Sequence, residues 1–332
     1  MSIRNLDLYF RFDEPKLFNL CIFAFLVSLI FPLKAQESNN FFDPMDVFEL
    51  EWVSDPQVSP DSRTIVYVRK SHDIMKDEVR SNIWQIKIDG EDHRPLYSEL
   101  GDSYSPRWSP NQDRLAFLSN NSESRQIHMY WFKSGETRAI TQLSESPSSL
   151  SWSPNGKWIA FTMNVKAKSN AIVESREKPE GAIWAKKPIT VTTTRYQYDG
   201  RGIVEPSYRH IFVVPAEGGS ARQLTTGDFN HYGSISWSPD SENIFFSAYR
   251  SDDWELASSE ADIYRVKVAD KSIDQITNQS GEESSPVVSP NGKLIAFNLR
   301  ERRPLAYTPN RIAVMDLEGK NMRVISLGLD GD

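Results

Sequence analysis

One cysteine, Cys21, stands among 332 residues, which excludes a disulfide scaffold and a cysteine-based zinc site. Basic residues are outnumbered, 38 Lys and Arg against 45 Asp and Glu, for a net charge of −7. The basic face that a nucleic-acid partner needs is missing. The serine-hydrolase elbow Gly-x-Ser-x-Gly occurs nowhere; Gly101-Asp102-Ser103-Tyr104-Ser105 is the nearest approach. There is no phosphate loop, no paired-glycine dinucleotide fingerprint and no His-Glu-x-x-His. The histidines His72, His93, His128, His210 and His231 share no metal-ligand spacing and read as loop or strand-surface residues. Asp252-Asp253 and Glu282-Glu283 read as solvated carboxylates of inter-strand loops, since no spaced calcium loop surrounds them. No cofactor and no metal is expected.

Proline (19), glycine (16) and the aromatics (9 Trp, 12 Tyr, 17 Phe) are plentiful, which favours sheet and turns over a helix bundle. One long apolar run exists, from Leu17 to Leu33, with Lys16 before it and Lys34-Ala35-Gln36 after it. That is the build of a secretory signal, residues 1–35, cleaved after small Ala35. An uncleaved anchor is the alternative, because the run reaches the lower limit for spanning, about 17 residues. Pro32 favours cleavage. Residues 36–47 then form a linker, and the mature chain is periplasmic or secreted with no stable membrane insertion.

Ser-Pro recurs five times, at Ser59-Pro60, Ser109-Pro110, Ser153-Pro154, Ser238-Pro239 and Ser289-Pro290. Asp or Asn always follows, the residue order of a type I turn. Trp108, Trp152 and Trp237 precede the serine in three copies. Seven residues after each proline stands an aromatic: Tyr67, Phe117, Phe161, Phe246, Phe297. A second element opens on Ile83, Ile127, Ile211, Ile263 and Ile312, and thirteen residues later sits Leu96, Ile140, Leu224, Ile276 or Ile325. Two hairpins of fixed length make a four-stranded unit, repeated about every 45 residues, the signature of a β-propeller.

The expected blades are 48–97, 98–143, 146–226, 230–278 and 283–327. The third carries an insertion, 165–210, whose second half is aromatic; long ordered insertions on rigid scaffolds are often functional. Trp184, Tyr196 and Tyr198 are its candidate contact residues. The expected fold is thus all-β, about five blades at 48–332 and incomplete as a ring.

The stretch Trp-Ser-Pro-Asn-Gly-Lys-Trp-Ile-Ala-Phe at 152–161 resembles the propeller repeat of two families: the Tol-system periplasmic propellers and the prolyl oligopeptidase family of serine peptidases. Val53-Ser54-Asp55-Pro56-Gln57-Val58-Ser59-Pro60-Asp61, the insertion segment Arg195 to Gly202, Gly218 to Thr225 and Asp253-Trp254-Glu255 resemble the second, in its acylaminoacyl-peptidase-like branch. The resemblance implies an α/β-hydrolase domain with a Ser-Asp-His triad after the propeller. No residue of this chain matches that triad, so no catalytic residue is assigned, and the chain reads as a fragment, inactive alone. It further implies a propeller that gates short peptides to that missing domain, its partner in function. A Tol-like binding propeller without enzymatic activity is the alternative. A sugar-active propeller would need axial carboxylates at a constant position, which the repeat lacks.

Overall fold

The computed structural model describes residues 41–97, 101–120, 124–167, 177–185, 189, 191, 193–256, 260–302 and 308–328. The expected signal segment, 1–35, lies outside them. Among the described residues no helix is long and apolar enough to cross a membrane. Residues 1–47 and 48–332 are separate units. A 3-10 turn, Pro44–Glu49, falls at the boundary.

Five antiparallel four-stranded sheets follow in chain order. The first is β1 (Glu51–Val58), β2 (Thr64–Asp73), β3 (Glu78–Lys87) and β4 (Arg94–Tyr97). The second is β5 (Ser103–Trp108), β6 (Arg114–Ser119), β7 (Gln126–Trp131) and β8 (Thr137–Ala139). The third begins with β9 (Pro147–Trp152) and β10 (Trp158–Lys166). It leaves the sheet for a small hairpin, β11 (Gln197–Tyr198) and β12 (Gly202–Ile203), and returns as β13 (Ser207–Pro215) and β14 (Arg222–Gln223). The fourth is β15 (His231–Trp237), β16 (Asn243–Ala248), β17 (Asp262–Lys267) and β18 (Ile273–Gln275). The fifth is β19 (Gly281–Val288), β20 (Ile295–Glu301), β21 (Arg311–Met315) and β22 (Arg323–Val324).

Each Ser-Pro turn closes the first hairpin in the same way. The serine hydroxyl accepts the N–H five residues on, as in Thr64 N–H to Ser59 Oγ (2.9 Å) and Trp158 N–H to Ser153 Oγ (2.9 Å). The fourth residue donates its N–H to the serine carbonyl, as in Gly156 to Ser153 (2.9 Å). That residue has left-handed backbone in all five copies: Ser62, Gln112, Gly156, Ser241 and Gly292, φ from +59° to +69°. The hairpin twist demands this corner, and only two copies use glycine for it.

The offset of thirteen has an equally local cause. The N–H of Ile140, Leu224, Ile276 and Ile325 donates to the carbonyl of Ile127, Ile211, Ile263 and Ile312, at 2.8–2.9 Å. One residue later, the hydroxyl of Thr141, Thr225, Thr277 or Ser326 accepts the N–H of that same leading isoleucine, at 2.8–3.0 Å. Where the fourth strand peels away, a side chain takes over from the ladder.

The sheets stack face to face, with the first strands of successive sheets adjacent, β1 to β5 to β9 to β15 to β19. The aromatics seven residues past each proline plug these interfaces. Phe117 packs with Val66 and Ile83 of the first blade, Phe161 with Ala116 and Leu118 of the second, Phe246 with Ala160 and Ile211 of the third, Phe297 with Phe245 and Ile263 of the fourth. All four rings are at most 2% exposed. Tyr67 differs: it is half-buried and shares a hydrogen bond with His93 Nε2 (2.5 Å), having no preceding sheet against it among the described residues. The repeated tryptophan is an inter-blade clasp. The indole N–H of Trp108 donates to Gln57 O (3.1 Å), that of Trp152 to Arg107 O (3.0 Å), that of Trp237 to Ser151 O (3.2 Å).

Two expectations need correction. Glu282-Glu283 belongs to the innermost strand β19, not to a loop, and Glu283 is fully buried. His128, His210 and His231 are buried rather than strand-surface, at 7%, 4% and 0% exposure. The three histidines lie on interior blades whose two faces are both covered, and Glu283 lies where the fifth blade packs on the fourth, so no solvent face is left for them.

Candidate functional site

The innermost strands β1, β5, β9, β15 and β19 each carry a bulge, and each bulge holds a residue with left-handed backbone: Asp55, Ser105, Ser149, Gly233 and Ser285. A bulge re-aims side chains at a sheet edge. Here five of them surround a cavity of about 770 Å³, with Gln57, Arg107, Ser149, Ser234 and Val287 in its lining. Every blade contributes one strand to this wall. Arg107 Nη1 reaches both oxygens of Asp55 (2.9 and 2.8 Å), so the guanidinium in the wall is neutralised across the first blade junction.

At the end where the innermost strands begin, the third-blade insertion is held down by the fourth blade. Glu255 Oε2 accepts both the N–H (3.2 Å) and the hydroxyl (3.0 Å) of Thr194. Tyr208 at the root of the insertion meets Trp254 edge to face, centroids 5.8 Å apart. Tyr232, 39% exposed near the start of β15, lies within electrostatic reach of Arg195, Tyr198, Arg209 and Glu282. Partial burial pushes its phenol above the usual value, and Arg195 pulls it the other way. Glu282 forms an ion pair with Arg300.

The expected contact residues divide accordingly. Tyr198, in β11 and 47% exposed, stands near Tyr232 and lines a shallow hollow of about 540 Å³ over the β11–β12 hairpin. Tyr196 (39% exposed) and Trp184 (51% exposed) make no ring contact with Tyr198 among the described residues. Residues 168–176, 186–188, 190 and 192 of the insertion lie outside the description. Sequence reasoning missed Tyr232, Arg195 and Glu282. The signal was present: Tyr232 and Glu282 open innermost strands, six and seven residues before the repeated serine, where a propeller meets its axis.

This geometry, one bulged strand per blade around an axial cavity, defines a β-propeller whose wall is built from five repeats. Comparison with known proteins then narrows the class. Residues 167–302 match the family model described as the dipeptidyl peptidase IV (DPP IV) N-terminal region. The uncharacterized peptidase YuxL of Bacillus subtilis is 30% identical over 220 residues, 66% of this chain and 33% of that protein. The acylaminoacyl peptidase of Pyrococcus horikoshii shares the fold at 14% identity with a TM-score of 0.64, over 85% of this chain and 40% of that one. A putative TolB from Agrobacterium tumefaciens shares it at 18% identity with a TM-score of 0.52, over 82% and 80%. The chain is a β-propeller that is similar, over residues 167–302, to the N-terminal region of dipeptidyl peptidase IV and, over 220 residues, to a curated peptidase. It spans less than half the length of the curated relatives it matches.

Proposed function

We propose that this propeller admits short peptides to the catalytic domain of a secreted serine peptidase and turns folded proteins away. The observation that carries the reading is the axial cavity, walled by all five blades and flanked by an insertion that Glu255 ties to the fourth. A wall of close-packed sheets is rigid, so admission is set by width rather than by chemistry. At the mouth, Tyr198 and Tyr232 supply ring faces, while Arg195 supplies donors for peptide carbonyls. Such contacts hold an extended backbone without selecting one sequence.

Saturation-transfer NMR on this chain tests the reading. Peptides of a few residues should give signal, a compact folded protein should give none, and Tyr198→Ala with Tyr232→Ala should abolish the peptide signal. Absence of any peptide signal would overturn it and favour a binding propeller of the Tol kind. Secretion is tested separately, by sequencing the N-terminus of the protein recovered from its source cells. Gln36 is the expected first residue; an intact Met1 would overturn cleavage.

A further inference from the structure

The fourth and fifth blades meet through a short parallel bridge between Ala261 and Glu282. Ala261 N–H donates to Gly281 O (3.1 Å) and Glu283 N–H to Ala261 O (2.7 Å). Two acids sit on this joint, Asp262 from β17 and Glu283 from β19. Glu283 is fully buried, Asp262 is 6% exposed, and their carboxyls lie within hydrogen-bonding reach of each other. Asp262 Oδ2 accepts from Gln275 Nε2 (3.0 Å), but Asp262 Oδ1 and both oxygens of Glu283 have no donor at hydrogen-bonding geometry.

The surrounding charges are already engaged. Arg302 pairs with Glu260 (3.0 Å) and Arg300 with Glu282. Glu260 also accepts Gly281 N–H (2.9 Å) and adds negative potential to the pair. Thr277 stands beside Glu283: its hydroxyl oxygen accepts Ile263 N–H (2.8 Å), and its own O–H towards Glu283 and the Gln279 N–H towards Asp262 offset the burial only in part. Tyr264 and Tyr249 are the nearby phenols, and Arg250 lies against Tyr264 rather than the acids. Two bare carboxylates in such a joint repel each other and are short of well-aligned donors. One proton turns one of those oxygens into a donor and removes half the charge. A divalent cation is the other way to satisfy them. It wants six or more oxygens, and among the described residues no third acidic, histidine or cysteine ligand completes a set.

We propose that Asp262 and Glu283 hold one proton between them, and that its loss with rising pH slackens the joint between the fourth and fifth blades. Burial, reinforced by the Asp262 charge, pushes Glu283 up to about 7, and burial pushes Asp262 up to about 6. Both acids therefore bind protons more tightly folded than unfolded. Their support is complete below the unfolded carboxyl values, about pH 4, and drains away as pH rises through 6 to 7. Glu282, the preceding residue of β19, lies within electrostatic reach of Tyr232, so a slackened joint shifts Glu282 relative to that ring.

Thermal unfolding of the whole chain, with Glu283→Gln and Asp262→Asn beside it, tests this between about pH 5 and 9. Buried His231 imposes an opposite trend on wild type and variants alike, so the readout is the difference between them. The Tm of Glu283→Gln minus that of wild type should climb by several degrees up to about pH 8 and then level, because a permanently neutral amide has no proton to lose. Parallel profiles overturn the proposal. Should Glu283→Gln fail to fold, Asp262→Asn gives the same comparison. In wild type alone, amide protection at Ala261 and Glu283 should fall over that range relative to the first three blades; uniform protection overturns it. A rise in wild-type Tm with millimolar calcium at alkaline pH, absent in Glu283→Gln, would assign the pair to a cation and overturn the shared proton.

Discussion

Ser62, Gln112 and Ser241 occupy the left-handed corner that Gly156 and Gly292 fill in the other two turns. The cost of that backbone for a residue with a Cβ is about 1 kcal/mol. Ser62→Gly should therefore raise stability by roughly 0.5–1 kcal/mol in denaturant unfolding. Gln112 and Ser241 should gain less. Their side chains accept the N–H of Asp61 (3.1 Å) and of Asn155 (3.1 Å) on the preceding blade, and glycine would remove that link. Trp152→Phe should cost about 1–3 kcal/mol, because it keeps a ring in the interface yet leaves Arg107 O without its donor. His231 is fully buried, accepts from Arg250 Nη1 (2.9 Å) and donates to Arg209 O (2.6 Å). Burial pushes it down to about 3, so it stays neutral in the fold. Its contribution is whole above about pH 6.5 and is lost as pH falls towards 3. The tryptophan spacing was visible in the sequence. Its partner was not, since a carbonyl one blade away leaves no residue-type signature.

Four of the second hairpins close on a hydroxyl that takes one leading N–H. Thr225→Val keeps the shape of a fully buried side chain but orphans Ile211 N–H. A loss of about 1–3 kcal/mol is expected, read by chemical denaturation. Three of the four closing residues are threonine, one position past the repeated apolar residue; Ser326 does the same for Ile312 under a different name. The insertion rests on the fourth blade through Glu255 and Thr194. Glu255→Ala should quicken limited proteolysis within 177–206 and leave the Tm of the blades unchanged, because the exposed contact adds nothing to an interface core. Aromatic content marked this segment as ordered. That Tyr198 comes near Tyr232 was decided by the fourth blade, which contributes Tyr232.

The five sheets form a series in which the inner three are covered on both faces. No comparable packing of the fifth sheet against the first occurs among the described residues. Val53 and Val58 of the first blade are 64% and 56% exposed, Ile312 and Ile325 of the fifth 44% and 57%. Exposed apolar surface on both outer blades predicts association when this chain is studied alone. Light scattering during gel filtration should show mass rising with concentration, and Ile312→Lys with Ile325→Lys should reduce it. A monodisperse monomer at all concentrations would contradict this.

Sequence alone determined the unit and its copy number. A turn with Ser, Pro and Asp or Asn, an aromatic at a fixed distance and a second hairpin of fixed length are local consequences of backbone geometry, written once per copy. Only the tertiary structure decided what lies between copies: the tryptophan clasps, the axial cavity, and a buried acid pair that local reading took for solvated loop. Those features join residues forty-five or more positions apart, or draw their character from burial, and neither distance nor dielectric is encoded in the identity of a single side chain.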